Sequence, residues 1–107
     1  MITITMHRDK KDRYTGFTIK GHADYDEAGS DIVCAAVSAL SQTALLGLMQ
    51  YASHDVPYEV NDGFLSVQVP KPCEASQIIL GTMVAGLEQI VRQYGEYVVL
   101  KIGRAHV

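Results

Sequence analysis

No charged residue occurs between Ile32 and Ser53, and this run limits the folds open to the chain more than any other feature. Helix formers dominate it, so it reads as one long helix. Its length matches the roughly 20 apolar residues that a membrane crossing needs. Ser38, Ser41, Gln42, Thr43 and Gly47 interrupt it, however, and no aromatic belt or basic flank brackets it. The expectation is therefore a central helix buried on most of its circumference, partly by a second subunit, and not a membrane span. At 107 residues the chain suits one domain, residues 1–107, with a core of its own.

Strand patterns flank this helix. Ile2, Ile4 and Met6 alternate with Thr3, Thr5 and His7, the period-two signature of a half-buried strand. The mixed charges from His7 to Arg13 read as a solvated hairpin tip. "YTGFTIKG" then makes a second strand with Phe17 and Ile19 on one face. A loop from Gly21 to Ser30 leads into the helix, with Ser30 or Asp31 as its natural N-cap and an end near Tyr51, before Pro57. "NDG", residues 61–63, joins two further strands as a hairpin turn, and Leu65, Val67 and Val69 share a face. A second helix spans Glu74 to Tyr94, with Ile79, Met83, Leu87, Ile90 and Tyr94 at helical spacing and Gly95 as its cap. "YVVLKIG" closes the chain as a strand that aligns Val98, Leu100 and Ile102. The order ββαββαβ predicts an α+β, two-layer sandwich: a mostly antiparallel sheet with two helices packed on one face.

Several function classes drop out on composition. A net charge of −3 does not suit a protein that neutralises phosphates, so no direct nucleic-acid binding is expected. Cys34 and Cys73 neither frame disulfides nor space a zinc site, and no GxGxxG, Walker loop, HExxH or CxxC occurs. No cofactor and no metal is expected. "MITITMHRDKK" has no basic segment followed by an apolar stretch, so the expectation is a cytoplasmic protein in which Cys34 is a free thiol.

The chemistry concentrates in "GHADYDEAGSDIVCAAVS", residues 21–38. A thiol attacks as its thiolate, and Cys34 falls in the expected first turn of the helix, where free backbone N–H groups favour negative charge. His22, at the end of the second strand, is the partner that would lower the thiol pKa further and protonate a leaving amine. Asp31, one turn before Cys34, either orients His22 or caps the helix; the two readings weigh about evenly. Ser38, one turn after Cys34, either donates to the thiolate or bonds back to the helix. Cys73 in "KPCEAS" also precedes a helix, but no histidine is near it in sequence and Glu74 disfavours a thiolate there. Against the catalytic pair stands the plain alternative that Cys34 is a small core hydrophobe.

Those same residues carry a resemblance. Gly21-His22, the acidic glycine-containing loop and Asp31 through Ser38 resemble the ribosomal-processing cysteine protease family (Prp). The resemblance implies a peptidase with Cys34 as nucleophile, His22 as general base and acid, and Asp31 in support. It also implies a cofactor-free homodimer whose substrate is the N-terminal extension of a large-subunit ribosomal protein, apolar and ending in aromatic residues before the cut. Gly21, Ala23, Asp24, Tyr25, Asp26, Glu27, Ala28, Gly29 and Ser30 would form a loop that closes over the peptide. The N–H of Cys34 is the expected oxyanion donor. Two rival functions stand beside this one: a non-catalytic dimeric module that binds a peptide or ribosomal protein around a buried Cys34, and a redox-sensing thiol.

Overall fold

Alternation of apolar and polar residues produces a five-stranded sheet with one oily face. The computed structural model describes the backbone of residues 1–22, 28–53 and 55–104, and the side chains of all of these except 28–31 and 104. The elements are β1 (Ile2–Arg8), β2 (Tyr14–Lys20), α1 (Ala28–Gly47), β3 (Tyr58–Asn61), β4 (Phe64–Gln68), α2 (Glu74–Tyr94) and β5 (Val98–Arg104). The strands lie in the order β3-β4-β2-β1-β5. All neighbours are antiparallel except β1 and β5, which run parallel. This is the expected α+β architecture, with both hairpins and both helices where the sequence pattern puts them.

Register turns the alternation into a core. Ile4 pairs with Ile19 and Leu100, Met6 with Phe17, and Phe17 in turn with Val67. Ile4, Met6, Phe17 and Val67 are thereby almost wholly buried in one cluster with Val33 and Leu48 from the first helical segment and Leu80 and Leu87 from α2. Burying each such side chain stabilises the fold by about 1.5–3 kcal/mol. The opposite face pairs Thr5 with Thr18 and Thr18 with Ser66, and stays polar. Along β5 Val98 is buried, Leu100 packs partly buried against the core and Ile102 is exposed, so the core ends before the last of the three aligned residues. On α2 the buried stripe is Leu80, Met83, Val84 and Leu87, while Ile79, Ile90 and Tyr94 only flank it.

Three expectations need correction. α1 begins at Ala28, so Ala28, Gly29 and Ser30 belong to the helix and not to a loop, and Asp31 is not its N-cap. A helix docked on a sheet extends backward readily, because each residue added to an existing turn gains a hydrogen bond. Residues Ala23, Asp24, Tyr25, Asp26 and Glu27 of the expected loop lie outside the described residues. The α-helical hydrogen-bond pattern also ends at Gly47, where Leu48–Ala52 form a π-helical turn closed by the Ser53 N–H donating to the Leu48 carbonyl at 3.0 Å. Finally, Gly95 ends α2 in a right-handed conformation, with φ −59° and ψ −12°, and not in the left-handed one typical of glycine caps.

The charge-free segment is only partly covered. Ile32–Ala52 passes for a membrane span by length and apolarity, and 33% of its most apolar window is buried. Val33, Val37, Ala44, Leu45 and Leu48 face the core, while Leu46 and Tyr51 are exposed. Burial over most of the circumference is therefore not met within one chain. Leu40, Thr43, Gly47 and Tyr51 line an apolar groove with Ile78 and Thr82 of α2 on the outer side of the helical layer.

Candidate active site

A cleft of about 250 Å³ opens between the end of β2, the first half of α1 and the β3–β4 turn. Its apolar floor comes from Ile2, Ile19, Val37 and Leu65, the edge of the core itself. His22 and Cys34 both line it, and so does Ser38, one helical turn beyond Cys34. The two residue types that the sequence picks out for acyl transfer thus share one cavity, although a dozen positions separate them in the chain. Cys34 is half-buried and packs against the core without being sealed in it. Its place at the cleft wall distinguishes it from a sealed core cysteine.

Local structure sets where His22 stands. β2 ends at Lys20, and Gly21 follows with φ +96°, a conformation that L side chains rarely adopt. A Cβ there would also collide with the Met1 carbonyl. The Gly21 N–H donates to the Gly63 carbonyl at 2.9 Å, which extends the β2–β4 pairing by one step. The Met1 amino group donates to the His22 carbonyl at 2.7 Å. The backbone at His22 is therefore held from both neighbouring strands, while its side chain remains 59% exposed. Asp62, at the tip of the β3–β4 turn, brings Oδ1 to 3.8 Å from His22 Nε2.

Cys34 sits six residues after Ala28, well past the first turn of α1. Its N–H is used inside the helix by the regular bond to the carbonyl four residues back. That overturns the expectation that this N–H receives the oxyanion, and it removes the helix terminus as the nearest source of positive potential. The backbone of Asp31 lies one turn before Cys34 on α1, and its side chain lies outside the described ones. Ser38 is exposed at the cleft, and its carbonyl accepts from the Ser41 hydroxyl at 3.3 Å.

Cys73 behaves differently from expectation. It is the N-cap of α2 and is exposed. The Ser76 N–H donates to its sulfur at 3.5 Å, while the Ser76 hydroxyl accepts from the Cys73 N–H at 2.9 Å. The Ser76 backbone N–H, and after it the Ser76 side chain, hold this thiol below the usual cysteine range. The thiol is thus lowered despite the neighbouring Glu74, against expectation. Cys73 does not line the cleft that holds His22. Among the described residues, no three His, Cys, Asp or Glu side chains converge closely enough to hold a metal ion.

Asp62 and Gly63 are the site residues that sequence reasoning passed over. "NDG" reads as a turn and nothing more, because its proximity to His22 depends on β2 pairing with β4 across more than 40 intervening positions. Comparison with known proteins bears on the whole chain. A family model described as cysteine protease Prp matches residues 1–99. The ribosomal processing cysteine protease Prp of Staphylococcus aureus is 35% identical over 100 residues, covering 90% of this chain and 93% of that protein. Its counterpart in Bacillus subtilis is 27% identical over 101 residues, covering 88% and 90%. The fold is similar to the crystal structure of an essential ribosomal processing protease Prp from S. aureus in complex with a covalently linked product peptide. That match has a TM-score of 0.84 at 30% identity and covers 95% of this chain and 99% of that one.

Proposed function

The chain belongs to the Prp family of cysteine proteases, and on that premise we propose that it removes the N-terminal extension of a large-subunit ribosomal protein, using Cys34 and His22. The observation that carries the assignment of residues is that His22 and Cys34 line one cleft with an apolar floor. An extended, apolar segment ending in aromatic residues suits such a floor. The Cys34 thiolate attacks the carbonyl carbon of the residue before the cut, and the electron pair of that carbonyl moves onto oxygen. Collapse of the tetrahedral adduct expels the amine, which takes its proton from the His22 imidazolium. His22 then removes a proton from water, the hydroxide attacks the thioester, and the thiolate is restored. A covalently linked product peptide in a solved relative is in keeping with acyl transfer through sulfur.

Asp31 is a supporting residue in this scheme and Ser38 a neighbour of the nucleophile. Residues 1–107 act as one peptidase domain in the cytoplasm, without a cofactor and without direct contact to nucleic acid or membrane. Two copies pair through the outer face of the helical layer, where the groove between α1 and α2 leaves Tyr51 and Ile78 exposed.

The test is cleavage of a synthetic peptide whose apolar segment ends in paired aromatics. The parent should cut after the aromatics, and folded Cys34→Ala and His22→Ala should not. A parent that binds the peptide without cutting it would instead support the binding module, and a fast-oxidising Cys34 with no cleavage would support the redox sensor.

A further inference from the structure

The imidazole of His22 lies in space that only a glycine leaves open. A Cβ built on Gly63 would stand 2.5 Å from His22 Nε2, 3.0 Å from Cε1 and 3.1 Å from Cδ2. Real Cβ atoms do not approach ring atoms so closely, so the ring occupies the place of a missing side chain. Gly63 has φ +68°, which explains a glycine but also admits asparagine, the residue that tolerates this region best after glycine. With any side chain at position 63, asparagine included, the exposed His22 ring must leave this place. The same Gly63 accepts the Gly21 N–H through its carbonyl, so one residue holds both the backbone before His22 and the ring itself. Among the described residues, the charged and titratable groups around the imidazole are Asp62 from the turn, Cys34 from α1 across the cleft, and the Met1 amino group on the His22 carbonyl.

We propose that the β3–β4 turn is the positioning element for the catalytic histidine, with Gly63 as the seat of the His22 ring. Gly63 is a positioning residue: it acts through His22 and not on the peptide. The inference rests on His22 and Cys34 being the reacting pair.

The experiment compares peptide cleavage by the parent, His22→Ala and Gly63→Asn, each with a melting curve, and records the contacts of the His22 ring in the parent by NMR. Gly63→Asn keeps a backbone-compatible residue and adds only the offending side chain. It should lose about a hundredfold in kcat, the cost of displacing a reacting group by about 1 Å, with KM little changed. In the parent, the His22 ring protons should show nuclear Overhauser contacts to the Gly63 Hα protons, a measurement that tests the seat even where Gly63→Asn does not fold. A folded Gly63→Asn with parental kcat, beside an inactive His22→Ala, overturns the seat. A parent whose His22 ring shows no contact to Gly63 overturns it equally. Cleavage that survives His22→Ala removes the reacting pair itself, and the positioning role goes with it.

Discussion

At the start of α2 the Cys73 sulfur does what a serine or aspartate oxygen usually does at an N-cap: it accepts a backbone N–H, here that of Ser76. Accepting that bond favours the thiolate, and the thiol pKa falls. Because the folded value lies below the unfolded one, this contribution to stability is present above the unfolded thiol pKa and is lost as pH falls through the folded one. Two outcomes follow for alkylation. In a Cys34→Ala background, Cys73 should label with a midpoint below that of a free cysteine, and Ser76→Ala should raise the midpoint by removing the hydroxyl contribution. A midpoint indifferent to Ser76 would show that the cap geometry does not govern this thiol. Labelling of the parent also cannot identify the nucleophile by speed alone, since a second cysteine is activated by its helix. Assays of Cys34 need Cys73→Ser.

The two glycine and leucine positions in the middle of α2 separate propensity from packing. A Cβ at Gly81 meets nothing within 4 Å, and glycine weakens a helix interior through its conformational freedom. Gly81→Ala should therefore stabilise the fold by about 0.5–1 kcal/mol. Leu87, fully buried two turns later, belongs to the shared core, and Leu87→Ala should cost about 2–5 kcal/mol through lost burial and the cavity left behind. Urea denaturation reads both. Opposite signs at two sites on one helix would show that α2 is held by its sheet-facing stripe, with its outer positions governed by backbone preference. A neutral Gly81→Ala would mean that the outer face is packed in solution by something beyond this chain.

That last possibility belongs to the whole molecule. Tyr51 and Ile78 are large, apolar and exposed along one apolar groove between the two helical segments, and single chains rarely leave a contiguous patch of this kind uncovered. Sedimentation of the parent should give twice the mass of the 11.7 kDa chain, and Tyr51→Asp with Ile78→Asp should return it to the single-chain mass. A parent that sediments as one chain across the micromolar range would leave this face open and refute the pairing.

Most of the architecture was legible because it is local. Alternation at Ile2, Ile4 and Met6, the uncharged run from Ile32, the "NDG" turn and the apolar spacing of α2 each express themselves within a few residues, and β pairing then had few ways to combine them. The candidate pair, Cys34 and His22, was legible for a different reason, since "GHADYDEAGSDIVCAAVS" carries both within one short segment and resembles a known family. What the local pattern misjudged was where α1 starts, because a helix docked on a sheet grows past its apparent cap and carries Cys34 beyond the first turn. What only tertiary structure decided is the company that His22 keeps. Gly63 and Asp62 reach it through the pairing of β2 with β4, and a contact between residues so far apart in the chain leaves no periodic or compositional trace in either of them.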